Sequence, residues 1–169
     1  MVRQMTDNPM KKIFIEKITL NMGTGTDGNV KHASKILKEI SGMKPILTAA
    51  KKRNPFGGAK GKVLGCMVTI RKNKEETLKR LLTAVENKVS ASSFDNNGNF
   101  SFGIKEYINV PEMRYDPDIG MIGLDVCITV VRPGFKIKNK RLSHKIGKKH
   151  LITKEDGIEF AKSIGIDVV

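Results

Sequence analysis

Along residues 13–22 the chain settles into alternation, with Ile18, Leu20 and Met22 on one side and Lys17, Thr19 and Asn21 on the other. Period two marks a half-buried strand, because successive side chains leave opposite faces of the pleat. The pattern returns twice. In residues 63–71, Leu64, Cys66, Val68 and Ile70 share a face opposite Met67, Thr69 and Arg71. In residues 124–131, Leu124, Val126, Ile128 and Val130 point inward, and Asp125, Cys127, Thr129 and Val131 outward. Residues 45–50 read as a further short strand, and residues 100–110 as another, broken by Pro111.

Between these stretches the period becomes helical. In residues 29–41, Val30, Ala33, Ile36, Leu37 and Ile40 form an apolar stripe, and Gly42 sits where a helix end favours a left-handed residue. Asn73 with Glu76 gives an N-cap signature for a helix carrying Leu78, Leu81, Leu82 and Val85. Thr153 with Asp156 resembles a capping box for a last helix bearing Ile158, Ala161 and Ile164. Residues 95–99, Asp-Asn-Asn-Gly-Asn, form a turn cluster.

About five strands with three dispersed helices predict an α+β fold, an antiparallel sheet with helices packed on one face in a two-layer sandwich. Residues 1–169 read as a single domain, within the ~100–200 residues usual for one. It carries a long, flexible basic loop at 51–63 and a basic irregular extension at 132–150. The uncovered sheet face would present Lys17, Thr19, Asn21, Thr69, Arg71 and Thr129, side chains over which a nucleic-acid backbone can come close.

Charge sharpens this picture. The chain has 31 Lys or Arg against 17 Asp or Glu, a net charge of +14. The excess is concentrated: Lys51, Lys52, Arg53, Lys60 and Lys62 lie in one stretch without an acid. Arg132, Lys136, Lys138, Lys140, Arg141, Lys145, Lys148 and Lys149 lie in another. Such blocks repel themselves, and a polyanion is their natural complement. Each cation that neutralises a phosphate releases condensed counterions, which drives binding and makes it salt-sensitive. A membrane surface would call for a basic amphipathic helix with bulky apolar anchors, whereas both blocks carry Gly, Pro or Asn breakers. No apolar run approaches the ~18 residues of a membrane span, and the N-terminus lacks the apolar region of a secretory signal. Nucleic acid, in a reducing intracellular setting, is the expected partner.

Enzyme signatures are thin. Gly23-Thr24-Gly25-Thr26-Asp27-Gly28 matches G-x-G-x-x-G between a strand and a helix, which opens the reading of an NADP-linked oxidoreductase. Against it, the second strand ends without an acid to hold a ribose, and a Gly/Pro loop follows where a helix is needed. His32, His144 and His150 have no triad or metal partners near them in sequence, and Asp116-Pro117-Asp118 reads as a turn. Cys66 and Cys127 form no C-x-x-C and read as buried free thiols. Catalytic residues, metal and cofactor are therefore all expected to be none. A general RNA chaperone is a further rival.

Three motifs carry a resemblance. They are Leu20-Asn21-Met22-Gly23-Thr24-Gly25, then Ser41-Gly42-Met43-Lys44-Pro45 with Thr48-Ala49-Ala50-Lys51, and Ser93-Phe94-Asp95 followed by residues 98–106. With them the chain resembles the large-subunit ribosomal protein five family, which binds 5S ribosomal RNA in the central protuberance. Tyr115-Asp116-Pro117, Ile122-Gly123-Leu124-Asp125, Arg132-Pro133-Gly134-Phe135 and the segment 146–155 are similar to its archaeal and eukaryotic branch.

The resemblance implies an antiparallel sheet with helices on one face and a role without catalysis in the cytoplasmic ribosome. It carries the 5S RNA contact onto Asn21, Met43 and Thr69, where members often have Gln in the slot of Met43. Lys44, Thr48 and Arg71 are further candidates beside those positions. It also implies that the basic loop, with Lys51, Lys52, Arg53, Lys60 and Lys62, reaches P-site transfer RNA. Further implied partners are 23S-type ribosomal RNA, a neighbouring 5S-binding protein of the large subunit, and a small-subunit head protein met in an intersubunit bridge.

Overall fold

The computed structural model describes residues 8–25, 28–53, 55 and 58–169. Its strands, in chain order, are β1 (Phe14–Gly23), β2 (Ile46–Ala49), β3 (Val63–Ile70), β4 (Lys88–Val89), β5 (Phe100–Ile104), β6 (Leu124–Val131) and β7 (Asp167–Val168). Five of them form one antiparallel sheet in the order β2-β3-β1-β6-β5. β1 is central, paired with β3 through Leu20–Val68 and with β6 through Leu20–Val126. The alternation in its sequence decides which way it faces. Ile18, Leu20 and Met22 are fully buried against the helices, each such side chain contributing ~1.5–3 kcal/mol relative to exposure.

α1 (Val30–Ser41) and α2 (Lys74–Thr83) cover that face, and α3 (Lys154–Ser163) adds Ala161 to the same core. α1 buries Ala33, Ile36, Leu37 and Ile40. Its start is capped by Asn29, whose side chain accepts from Lys31 N at 3.1 Å, and it ends on Gly42 at φ 65°. β1, α1 and β2 form a split unit, since antiparallel β3 lies between two strands that are parallel to each other. A dinucleotide fold needs those two strands side by side, so the Gly-rich turn serves here as a connection. Its residues 26 and 27 lie outside the described residues, as do 1–7 and, in the basic loop, 54, 56 and 57.

α3 begins with the expected capping box. Asp156 N donates to Thr153 Oγ1 at 3.3 Å, and Thr153 N donates to Asp156 Oδ2 at 3.1 Å. The helix rests directly on the 95–99 turn, where a Cβ at Gly157 would lie 2.6 Å from Gly98 Cα. Gly98 itself has φ +74°, which a side chain would strain.

Several sequence expectations need correction. The strand expected over 100–110 stops at Ile104, because its partner β6 begins opposite it at Leu124. The chain then turns through a short 3-10 helix at Tyr107–Asn109, with Tyr107 buried. Asn73 does not cap α2 with its side chain; it takes a left-handed conformation at φ 50° and redirects the backbone, a conformation Asn tolerates better than most residues. Val85 lies beyond that helix, in the turn that follows. Val131 is buried, since residues from the 132–150 segment cover that end of the sheet. The small parallel pair of β4 with β7 is an addition to the expected strands. Two-residue strands leave no periodicity to read.

Candidate nucleic-acid interface

The face of the sheet away from the helices is open, and strand register decides what it presents. One row runs Ile46, Met67, Asn21, Asp125 and Gly103 across all five strands. The next runs Thr69, Thr19, Cys127 and Ser101. A third pairs Lys17 with Thr129. Above the Asn21 row, Thr48, Gly65 and Gly23 align, and two glycines leave the backbone bare.

The candidates from sequence thus fall into two groups. Asn21, Thr69 and Thr48 share this face and are half-buried, held by the sheet with their polar ends reachable. Arg71 follows the last residue of β3 and is exposed. Met43 and Lys44 sit off the sheet, exposed in the turn between α1 and β2. That turn is ordered by Ser41, whose Oγ donates to Leu37 O at 2.6 Å and accepts from Met43 N at 3.2 Å. Counting two residues back from the Ile46–Met67 pair puts Lys44 at the level of Thr69, beyond the paired edge.

The basic segments lie at opposite ends of the sheet. The loop after β2 joins β3 beside the Gly23 end of β1, and Lys51, Lys52, Arg53, Lys60 and Lys62 are all exposed. Its base is closed by backbone bonds, Ala50 N to Lys62 O at 2.9 Å and Gly61 N to Ala50 O at 2.8 Å. The 132–150 segment leaves β6 beside Phe14, at the other end of β1. With ~3.3 Å per residue, the ten residues of β1 separate the two by roughly 30 Å.

That second segment is irregular over residues 140–147 but fastened at both ends. Arg132 donates from Nη1 to Leu151 O at 3.1 Å and pairs through Nη2 with Asp156 Oδ2 at 3.0 Å. His150 Nε2 lies 2.8 Å from Pro133 O, and its ring packs against Phe135 at 5.8 Å between centroids. Short 3-10 helices at Phe135–Asn139 and Lys148–His150 complete a closed loop.

Sequence reasoning placed Asp125 and Cys127 outward but did not count them in the site. Alternation gives a side chain's face; register, which makes Asp125 the neighbour of Asn21, is not in it. Cys127 is exposed, against the expectation of a buried thiol. Partial burial, and then the nearby Asp125 carboxylate, raise its pKa, so it stays protonated at neutral pH. Cys66 is buried as expected, and burial raises its pKa too. Among the described residues no three His, Cys, Asp or Glu side chains gather as a metal site, and no helix is long and apolar enough to cross a membrane. The chemistry on offer is hydrogen bonding from short polar groups and attraction of anions.

Comparison with known proteins identifies the family. Residues 8–55 match the family model described as ribosomal protein L5, and residues 63–160 match the model for the C-terminus of the same ribosomal family. The chain is 45% identical to large ribosomal subunit protein uL5 of Sulfurisphaera tokodaii, over 96% of this chain and 94% of that protein. It is 44% identical to the uL5 of Nitrosopumilus maritimus, over 98% of each. The uL5 of Methanococcus maripaludis is also 44% identical, over 92% of this chain and 90% of its own. Matches to both halves of the chain, and to relatives aligned over nearly their whole length, show that it belongs to the ribosomal protein L5 family, the uL5 proteins of the large ribosomal subunit.

Proposed function

We propose that the chain binds 5S ribosomal RNA through the open sheet face and reaches P-site transfer RNA with its basic loop, acting as one unit across residues 1–169. As a member of its family it is a protein of the large ribosomal subunit in the cytoplasm, and not an enzyme. The observation that carries the proposal is a sheet face left uncovered by helices, bearing Asn21, Thr48 and Thr69 as fixed polar groups. Lys44 and Arg71 at its margins would take phosphates, and Met43 would supply apolar contact. Folded RNA is read where bases are accessible, at loops and bulges, and elsewhere by backbone shape. An irregular loop of 5S RNA is the fitting partner.

Lys51, Lys52, Arg53, Lys60 and Lys62 would meet transfer RNA through its phosphates, and sequence-independent contacts suit a site that serves every transfer RNA. Contacts with 23S-type RNA, a neighbouring 5S-binding protein and a small-subunit head protein belong to the same proposal.

The test is a titration against 5S RNA and an unrelated RNA of equal length, at several salt concentrations. A preference for 5S RNA that survives physiological salt and falls in the Asn21→Ala/Thr69→Ala variant is expected. Equal binding of both RNAs, lost together as salt rises, would reduce the protein to a general polycation or RNA chaperone.

A further inference from the structure

The 132–150 loop does not lie flat on the protein. Between it and the Phe14 end of the sheet is a cleft of about 710 Å³, within the ~300–1,000 Å³ typical of ligand clefts. Lys17 and Thr129, the last row of the open face, line its sheet side, and Lys138 and Lys145 line it from the loop. Val131, Phe135 and Ile146 add apolar surface. Glu16 is the only acid among the lining residues described. Asn99 also borders the space; its Oδ1 accepts from Val130 N at 3.0 Å, which leaves its amide NH₂ to donate.

Apolar surface set among cations is the chemistry of an unstacked base with its phosphates. A duplex is too wide for a cleft of this volume, and a short unpaired strand is not. An acidic peptide would use the cations but has less use for Phe135 and Ile146 beside them. The loop is also held in place by ties that do not involve Lys138 or Lys145, which remain exposed.

We infer that this cleft takes an unpaired stretch of ribosomal RNA, with phosphates on Lys17, Lys138 and Lys145 and a base against Phe135 and Ile146. The inference rests on the reading of the chain as an RNA-binding ribosomal protein. It adds a second ribosomal RNA site, at the opposite end of the sheet from the basic loop.

The experiment uses the full chain and a short oligouridylate containing photoreactive 4-thiouridine. Cross-links are expected within residues 135–146. Lys138→Glu/Lys145→Glu is expected to weaken binding roughly tenfold and to lower the salt slope by about 1.4, since each phosphate contact on a single strand contributes ~0.7. Lys31→Glu/Lys79→Glu, the same charge change on the helix layer, should leave cross-linking unchanged and weaken binding far less. Thermal melts of both variants confirm folding.

Equal losses in the two variants, or cross-links elsewhere, would overturn the inference in favour of diffuse attraction. No loss in either, with no cross-link, would also overturn it and leave the cleft to an acidic protein segment. The Asn21→Ala/Thr69→Ala variant separates the two sites, because it should lose 5S preference while keeping the oligouridylate cross-link. If the unaltered chain shows no 5S preference, the sheet-face reading fails while the cleft result stands.

Discussion

Residues 51–62 carry five cations and no acid, and residues 132–149 carry eight and no acid. In the first segment the hydrogen bonds described are backbone bonds at its base. In the second, Arg132, Phe135 and His150 turn inward and fasten both ends. Composition gives both the same excess of cations; among the described residues, side chains fasten only the second at both ends. A third segment, 111–123, stands between them: Asp116 is tied to Lys35 of α1 at 2.7 Å, but the pair is exposed.

Three changes would break or sharpen this comparison. The largest effect is expected from Arg132→Ala. Its side chain is only 12% exposed, and the change removes its pair with Asp156 and its bond to Leu151 O. A loss of about 2 kcal/mol is expected in urea unfolding, with new protease cleavage between residues 136 and 149. Unchanged stability and protease resistance would mean that the loop holds its shape without this tie.

A smaller effect is expected from Asp116→Asn, present near neutral pH and lost in acid. The hydrogen bond from Lys35, more than any other contact, holds the Asp116 carboxyl below its usual range. A carboxylate with a lowered folded-state pKa adds stability above its unfolded value, ~3.9, and loses it as pH falls through the folded value. The urea midpoint of the unaltered protein should therefore fall more steeply below about pH 4 than that of the variant. Lys35 is raised by the same bond, so its share fades only at strongly alkaline pH.

The smallest effect on stability is expected from Lys51→Glu/Lys52→Glu/Lys60→Glu. All three side chains are exposed without ion pairs among the described residues. Melting should stay within about 0.5 kcal/mol of the unaltered protein, while transfer RNA binding in a filter assay falls at moderate salt. A large loss of stability would show that this loop is fastened after all.

The chain's own pattern reveals much of this architecture. Period two in β1, β3 and β6 and the stripe in α1 mark core positions that the fold then buries, such as Leu20, Val68, Val126 and Leu37. Thr153 and Asp156 form the capping box their spacing suggests. What local pattern does not contain is pairing between distant residues. The grip of Arg132 on Asp156, the packing of Phe135 on His150 and the row joining Asn21 to Asp125 all depend on contacts across the fold. So does the ordered character of residues 132–150, since basic residues interrupted by Gly and Pro look alike whether tied or free. Alternation gives a face and so puts Asn21 and Thr69 together; Thr48 joins them only through the pairing of β2 with β3, and Met43 and Lys44 lie off the sheet because they precede its first edge residue.

The central place of β1 has a consequence for how the molecule is made. β1 precedes both of its partner strands, one at 63–70 and the other only at 124–131. At ~5–20 residues per second, on the order of 5–20 seconds separate the emergence of β1 from that of β6. Until then one edge of β1 is unpaired, the kind of edge on which chains aggregate. Contacts this distant in sequence also form slowly. A nascent chain halted before residue 124 leaves that edge open, so the interval before β6 emerges is when a growing chain of this fold most needs shielding.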